Sequence, residues 1–289
     1  MTRSDRVDVR VDGRTLTLSN LDKPMFPEFT KGEVIDYYTR IAPVLLPHLR
    51  DRPLTRIRFP EGVGALRFYE KNAPKGTPEW VRTERIETPG GQQEALDFVV
   101  VDDLPTLVWC ANLAALELHV PQWRISEGSP DLMVFDLDPG APATFTEACV
   151  VGLLLRELLA GDGLTAYPKS SGKKGLHLYV PVQDLDTSAY AKKAANRLAD
   201  EYGRLVTAKM ERKLRTGKVF VDWSQNSPSK TTVAPYSLRA LEEPSVSTPL
   251  TWEEVEEGRA VRFGPRQVLE RVDEHGDLLA PLLGRERPE

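Results

Sequence analysis

The 289-residue sequence predicts an α+β fold. Short runs of alternating apolar and polar residues mark strands, and helix-opening caps precede longer runs of helical spacing. The two kinds of segment follow one another irregularly, which favours mixed architecture over a regular doubly wound sheet. The chain is long enough for one large or two small domains with a substantial core. At 40% hydrophobic and 28% charged, its composition is that of an ordinary globular protein.

Along the chain, Val7, Val9 and Val11 alternate up to Asp12-Gly13, and Leu16 and Leu18 follow, which reads as a β-hairpin. Thr30 to Glu33 fits a capping box and opens a helix through Ile35, Tyr38, Ile41, Leu45 and Leu46. Leu54 to Phe59 reads as a strand with Arg56 and Arg58 on one face. Phe98 to Val101 is strand-like, and Thr106 to Leu118 reads as an apolar helix ending at His119-Val120-Pro121. Asp131 onward forms a buried strand ending in Asp136 and Asp138. A second capping box, Thr144 to Glu147, opens a helix that stops at Gly161-Asp162-Gly163. A strand over Leu164 to Tyr167, a loop over Pro168 to Gly175 and a strand over Leu176 to Val180 come next. A helix around Ser188 to Arg204, then Leu205 to Thr207, and a strand over Lys218 to Trp223 complete the reading.

No apolar run reaches the ~20 residues that span a bilayer, and the N-terminal residues lack a secretory signal, so no membrane role is expected. Cys110 and Cys149 lie in apolar segments, as buried thiols of a reducing compartment do. The expected location is therefore cytoplasmic. The net charge of −5 conceals a basic stretch: Pro168 to Arg239 holds fourteen lysines and arginines against six acids. That excess suggests a local site for phosphates, although Lys192, Lys193 and Arg197 read as a solvated helix face.

Three segments carry candidate chemistry. Asp136 and Asp138, two apart on a strand, project to the same side. Close carboxylates repel unless a cation lies between them, and hard oxygen ligands suit Mg²⁺ or Mn²⁺. An acidic strand end that caps the next helix or faces solvent is the competing explanation. The second segment, Ser170 to His177, offers glycines for close backbone approach, and Ser171, Lys174 and His177 as donors to phosphate. It lacks Walker-loop spacing, and a basic hairpin turn would also explain it. The third is Asp222, closing the apolar strand Val219-Phe220-Val221. A metal shared with Asp136 and Asp138 would satisfy that charge, as would a cap or an ion pair.

Phe135-Asp-Leu-Asp-Pro-Gly140, Ser171-Gly-Lys-Lys-Gly-Leu-His-Leu-Tyr179 and Val219-Phe-Val-Asp-Trp-Ser-Gln-Asn-Ser-Pro-Ser-Lys-Thr-Thr-Val-Ala-Pro-Tyr-Ser-Leu-Arg239 stand in order. Together they resemble the polymerase domain of bacterial DNA ligase D, a branch of the archaeo-eukaryotic primase superfamily, from about Leu18 to about Leu279. The resemblance implies a primase-like core with an RRM-like mixed sheet flanked by helices. It implies one catalytic domain over 1–289: an N-terminal subregion (1–125), a metal- and nucleotide-binding core (126–245) and a C-terminal helical cap (246–289). Asp136, Asp138 and Asp222 match its catalytic, metal-binding aspartates, which take two ions, Mn²⁺ preferred or Mg²⁺. His119 matches a position at the sugar of the incoming nucleotide, and Ser171, Lys174, His177, Arg215 and Arg239 match further nucleotide contacts. Asn20, Lys23 and Lys31 match the region that holds a downstream DNA 5′-phosphate, and Phe68, Tyr69 and Lys71 the template contacts. Ile57, where relatives often carry a basic residue, and the short segment Arg124 to Asp131 depart from the family pattern.

The resemblance thus implies a monomeric, nucleoid-associated repair polymerase that adds NTPs, by preference, or dNTPs to gapped or broken DNA. Ku and a separate DNA ligase are its implied partners. A catalytically weak module that bridges 5′-phosphorylated ends is the alternative, and the three aspartates argue against it. An aspartyl phosphatase is disfavoured because Pro139-Gly140 follows the second aspartate. The ending Leu282 to Glu289 reads as a natural terminus.

Overall fold

The computed structural model describes residues 6–88, 93–259 and 262–284. The last five residues of the ending, 285–289, lie outside them. In chain order the elements are β1 (Arg6–Val11), β2 (Arg14–Ser19), β3 (Pro24–Phe26), β4 (Phe29–Thr30), α1 (Lys31–Leu49), β5 (Pro53–Arg58), β6 (Phe68–Glu70), β7 (Thr83–Glu87), β8 (Ala95–Val100), α2 (Leu104–Asn112) and β9 (Ala115–Val120). Then follow β10 (Leu132–Pro139), α3 (Phe145–Gly161), β11 (Tyr167–Ser170), β12 (Leu176–Pro181), α4 (Thr187–Glu201), β13 (Val206–Thr207), β14 (Val219–Asp222), β15 (Thr232–Val233), β16 (Leu238–Ala240), β17 (Pro244–Val246), α5 (Trp252–Glu257) and α6 (Pro265–His275). The architecture is mixed α+β, as the sequence predicts, and no helix among the described residues is long and apolar enough to cross a membrane.

The chain divides into two compact units. The first comprises residues up to Val120 with Tyr236–Val246 and Gly264–Gly276. Its β1–β2 hairpin turns through Asp12 (φ 45°) and Gly13 (φ 81°), two left-handed residues whose twist suits paired strands. Helix α1 opens with the expected box: Glu33 N donates to Thr30 Oγ1 at 3.3 Å and Thr30 N to Glu33 Oε2 at 2.7 Å. Val34, Tyr38, Ile41, Leu45 and Leu49 of this helix are buried. Strands β9, β5, β8 and β7 lie side by side in that order, with β6 also paired to β5. The buried phenol of Tyr38 donates to Leu116 O at 2.6 Å, and that of Tyr37 to Tyr236 O at 2.8 Å.

One sequence expectation fails in this unit. The helix from Thr106 stops at Asn112, and 115–120 form a strand instead of its last two turns. Ala114 takes a left-handed φ of 60°, which ends the helix, and Phe59 N donates to its carbonyl at 2.9 Å. Leu116, Leu118 and Val120 are buried and alternate with Glu117 and His119, the period-two pattern of a strand, which the helical reading ran together with the apolar segment before it.

The second unit comprises Pro121–Pro235, Ser247–Phe263 and the chain from Asp277 onward. Its sheet runs β11-β12-β10-β14-β13, antiparallel throughout except for the parallel pair β13–β14. Helix α3 opens with the second predicted box, Thr144 N donating to Glu147 Oε2 at 2.6 Å. Val134, Phe135, Leu137, Leu176, Leu178, Val219 and Val221 of the sheet are buried, as are Val151, Leu155 and Leu159 of α3 and Ala195 and Leu198 of α4. Strand β11 lies three residues later than expected, at Tyr167–Ser170: Ser170 still pairs with Leu176, so only 171–175 turn the chain instead of 168–175. Cys110 and Cys149, one in each unit, are buried free thiols, and burial pushes them up to about 11 and about 12.

Candidate active site

The chemistry of the second unit is concentrated in one row across its sheet. Lys169 on β11 stands opposite His177 on β12, His177 opposite Asp136 on β10, and Asp136 opposite Asp222 on β14. Directly paired residues project to the same face, so the register puts these four side chains on one side, with Asp138 two positions along. Strand β10 is buried along its first half, and then Asp136 and Asp138 are half-buried while Leu137 between them is fully buried. This alternation is the one the sequence predicts.

Each carboxylate already has a protein partner. Asp136 Oδ1 lies 3.3 Å from His177 Nε2, and Asp138 Oδ1 lies 2.8 Å from Lys174 Nζ. Asp222 caps the turn over Trp223–Asn226: its Oδ1 accepts from Ser224 N at 3.0 Å and Ser224 Oγ at 2.6 Å, and its Oδ2 from Gln225 Nε2 at 2.8 Å. As these side chains stand, no three His, Cys, Asp or Glu groups among the described residues converge tightly enough to hold an ion. The donor set nevertheless fits one chemically. Three hard oxygen ligands share a sheet face, two of them directly opposed, and like charges opposed in this way are unfavourable without a cation.

The turn 171–175 closes on Ser171. Its hydroxyl oxygen accepts from Lys173 N at 3.2 Å and Gly175 N at 3.0 Å, while Ser171 N donates to Gly175 O at 2.8 Å. Gly172 takes a φ of 71°, and a Cβ at Gly175 would sit 2.7 Å from Leu137 O, so only glycine lets the turn lie against β10. Lys174 Nζ also donates to Pro139 O at 2.8 Å. Arg215 stacks over the Phe220 ring at 3.6 Å, opposite Asp138 in register, and its Nε has no hydrogen-bond partner among the described residues. Gly140 makes that loop possible: a Cβ there would meet Arg215 O at 2.1 Å.

The remaining candidates lie in the first unit. His119 on β9 and Arg239 on β16 share the buried carboxylate of Glu117, His119 Nε2 at 3.0 Å and Arg239 Nε at 3.4 Å from Oε2. Glu117 Oε1 accepts from Ala240 N at 3.0 Å. Lys31 is buried and donates to Ser19 O at 2.6 Å. Burial, and then the nearby charges of Lys23 and Arg58, lower its pKa to about 8. Lys23 pairs with Glu61 at 2.7 Å, and Asn20 takes a left-handed φ of 55° in the turn before it. Phe68 and Tyr69 are 49% and 58% exposed on β6. On the neighbouring β5, fully buried Arg56 donates to Asn72 O at 2.7 Å, and Arg58, opposite Phe68 in register, pairs with Glu70 at 2.8 Å. Lys71 follows at the end of that strand, half-buried. Sequence reading missed Glu117 and Lys169. Glu117, two residues from His119, was hidden by the helical reading of that segment, and Lys169 by the loop reading of Pro168 to Gly175.

The model of the LigD primase-polymerase domain matches residues 30–279. The chain belongs to this family. Among its relatives, the multifunctional non-homologous end joining protein LigD of Mycolicibacterium smegmatis is 44% identical over 276 residues, covering 92% of this chain and 36% of that protein. The bifunctional non-homologous end joining protein LigD of Bacillus subtilis is 33% identical, covering 90% of this chain and 43% of that protein. The chain thus spans less than half the length of these LigD relatives. A solved structure of the polymerase domain of Mycobacterium tuberculosis ligase D in complex with DNA matches with a TM-score of 0.88 and 41% identity, covering 93% of this chain and 98% of that one. The fold is therefore that of the LigD primase-polymerase domain.

Proposed function

We propose that this chain is a template-dependent primase-polymerase of DNA repair that adds NTPs, by preference, or dNTPs at gaps and broken ends, as a step in end joining. The observation that carries this reading is the face-sharing set Asp136, Asp138 and Asp222 beside Lys174 and His177, in a member of this family.

Asp136, Asp138 and Asp222 would hold two Mn²⁺ or Mg²⁺ ions, which supply charge neutralisation at the primer hydroxyl and the leaving pyrophosphate. Phosphoryl transfer asks the protein mainly for positioning and electrostatics. Lys174, anchored to Pro139 O, keeps an ammonium at the strand end where a triphosphate gathers charge. Arg215 adds a guanidinium whose planar fork suits phosphate oxygens. His177 turns its Nε2 to the same face, 3.3 Å from Asp136 Oδ1. His119 and Arg239 keep the nucleotide-contact roles that their motifs imply. Lys23 and Lys31, with Asn20, hold the 5′-phosphate, and Phe68 and Tyr69 stack on template bases, which suits an enzyme indifferent to sequence. On this reading the chain acts as a monomer at the nucleoid, with Ku and a separate DNA ligase as partners.

Primer extension on gapped, 5′-phosphorylated DNA with Mn²⁺ tests the proposal. Extension that Asp136→Ala abolishes supports it. DNA binding without extension by the unaltered chain would favour the end-bridging alternative.

A further inference from the structure

Lys169 is fully buried on β11, on the sheet face that carries His177 and Asp136. Its Nζ lies 3.1 Å from His177 Nδ1, 2.5 Å from Ser247 Oγ and 5.4 Å from the Tyr179 ring centroid. Burying an ammonium is costly, and an apolar side chain of similar length would fill the same space without that cost. The charge therefore calls for a use other than packing.

The hydrogens in this cluster follow by elimination. Ser247 Oγ donates its hydrogen to Ser170 O at 2.9 Å, so toward Lys169 it accepts. Carried as an ammonium, Lys169 has three hydrogens and no lone pair, so in that state Nδ1 is the acceptor at its contact with the ring. The imidazole hydrogen then resides on Nε2, the nitrogen 3.3 Å from Asp136 Oδ1.

We propose that Lys169 is a positioning residue: it fixes His177 in the Nε2–H tautomer and holds the ring so that this N–H faces the acidic side of the sheet, as a donor for a phosphate oxygen of the incoming nucleotide. The ligand half of the proposal rests on the polymerase reading; the tautomer half does not. Ser247 holds the Lys169 ammonium, Lys169 holds the imidazole, and the imidazole presents its hydrogen to the site.

Nitrogen NMR of the full chain labelled with ¹⁵N at histidine, without divalent ions, reads the tautomer directly. The His177→Gln spectrum assigns the signal. The expected result is a pyrrole-type Nε2 and a pyridine-type Nδ1; an Nδ1–H form in the folded protein overturns the proposal without any variant. Lys169→Met is expected to lose the single tautomer and to weaken nucleotide binding about tenfold, the low end of the loss seen when the partner orienting a metal-ligating histidine is removed. Lys169→Arg is expected to restore part of both. A folded Lys169→Met with an unchanged tautomer and unchanged nucleotide Kd overturns the proposal. Should Lys169→Met not fold, Ser247→Ala is expected to shift the same signals in the same direction, and no shift overturns the proposal. Failure of the polymerase reading would show separately, as absence of nucleotide binding by the unaltered chain.

Discussion

Asp136 and Asp222 face each other across neighbouring antiparallel strands, one steadied by His177 and the other by Ser224 and Gln225. Opposed carboxylates repel, whereas the hydrogen bonds around each hold them in place. The pair is a cost to the fold unless a cation comes between them.

That cost separates activity from stability. Asp136→Asn is expected to lower primer extension by roughly a thousandfold or more, the several kcal/mol that metal clamping supplies. Its melting temperature should stay level or rise, since one of two repelling charges is gone. Asp222→Ala is expected to lose activity and also about 1 kcal/mol of stability, because it removes a turn cap. Calorimetry beside extension assays checks both, and a strongly destabilised Asp136→Asn would contradict the repulsion argument.

Lys31 gives a pH signature. Its pKa is lowered to about 8, so its charge is lost as the pH rises through that value. The extra DNA affinity conferred by a 5′-phosphate is therefore expected to weaken above pH 8, and Lys31→Met should abolish this dependence. In stability the sign is opposite. Between about 8 and the unfolded value near 10.5, the unfolded chain binds the extra proton, so stability rises with pH in that window. Anisotropy with phosphorylated and unphosphorylated ends, repeated across pH, measures the first effect.

Glu117 holds two residues matched to nucleotide contacts through one buried carboxylate. Glu117→Ala strands Arg239 and His119, and about 3 kcal/mol of destabilisation is expected from breaking such a buried pair. Glu117→Gln keeps an acceptor for Ala240 N and should lose less stability, yet still raise the nucleotide KM. Denaturant titration and steady-state kinetics distinguish the two variants; an unchanged KM in Glu117→Gln would refute the shared anchoring.

Phe68 and Tyr69 are exposed on β6, while Arg56 and Arg58 of the paired strand β5 are tied to Asn72 and Glu70. Their replacement by Ala is expected to weaken template binding by about 1–3 kcal/mol per lost base stack, whatever the base sequence. The melting temperature should hardly move, since neither ring is in the core. A loss confined to one template sequence would argue against stacking.

Local chemistry made much of this legible in the sequence. Asp12-Gly13 announces its hairpin, Thr30/Glu33 and Thr144/Glu147 announce their helices, and the spacing of Asp136 and Asp138 announces their shared face. Non-local pairing was harder to see. The alternation of Leu116, Leu118 and Val120 with Glu117 and His119 marks a strand, but not that its partner is β5, and the left-handed Ala114 is where it parts from α2. Lys169 shows its purpose only once β11 pairs with β12 and sets it against His177. Glu117 likewise depends on Arg239, more than a hundred residues away in the chain.

Strand β10 lies between two partners, with β12 along one edge and β14 along the other. An interior strand cannot fray: releasing it would require both neighbours to open, so its amides should be among the last to exchange with solvent. The aspartates thus ride on a stiff part of the unit, which fixes the register of their strands rather than the final direction of each carboxylate.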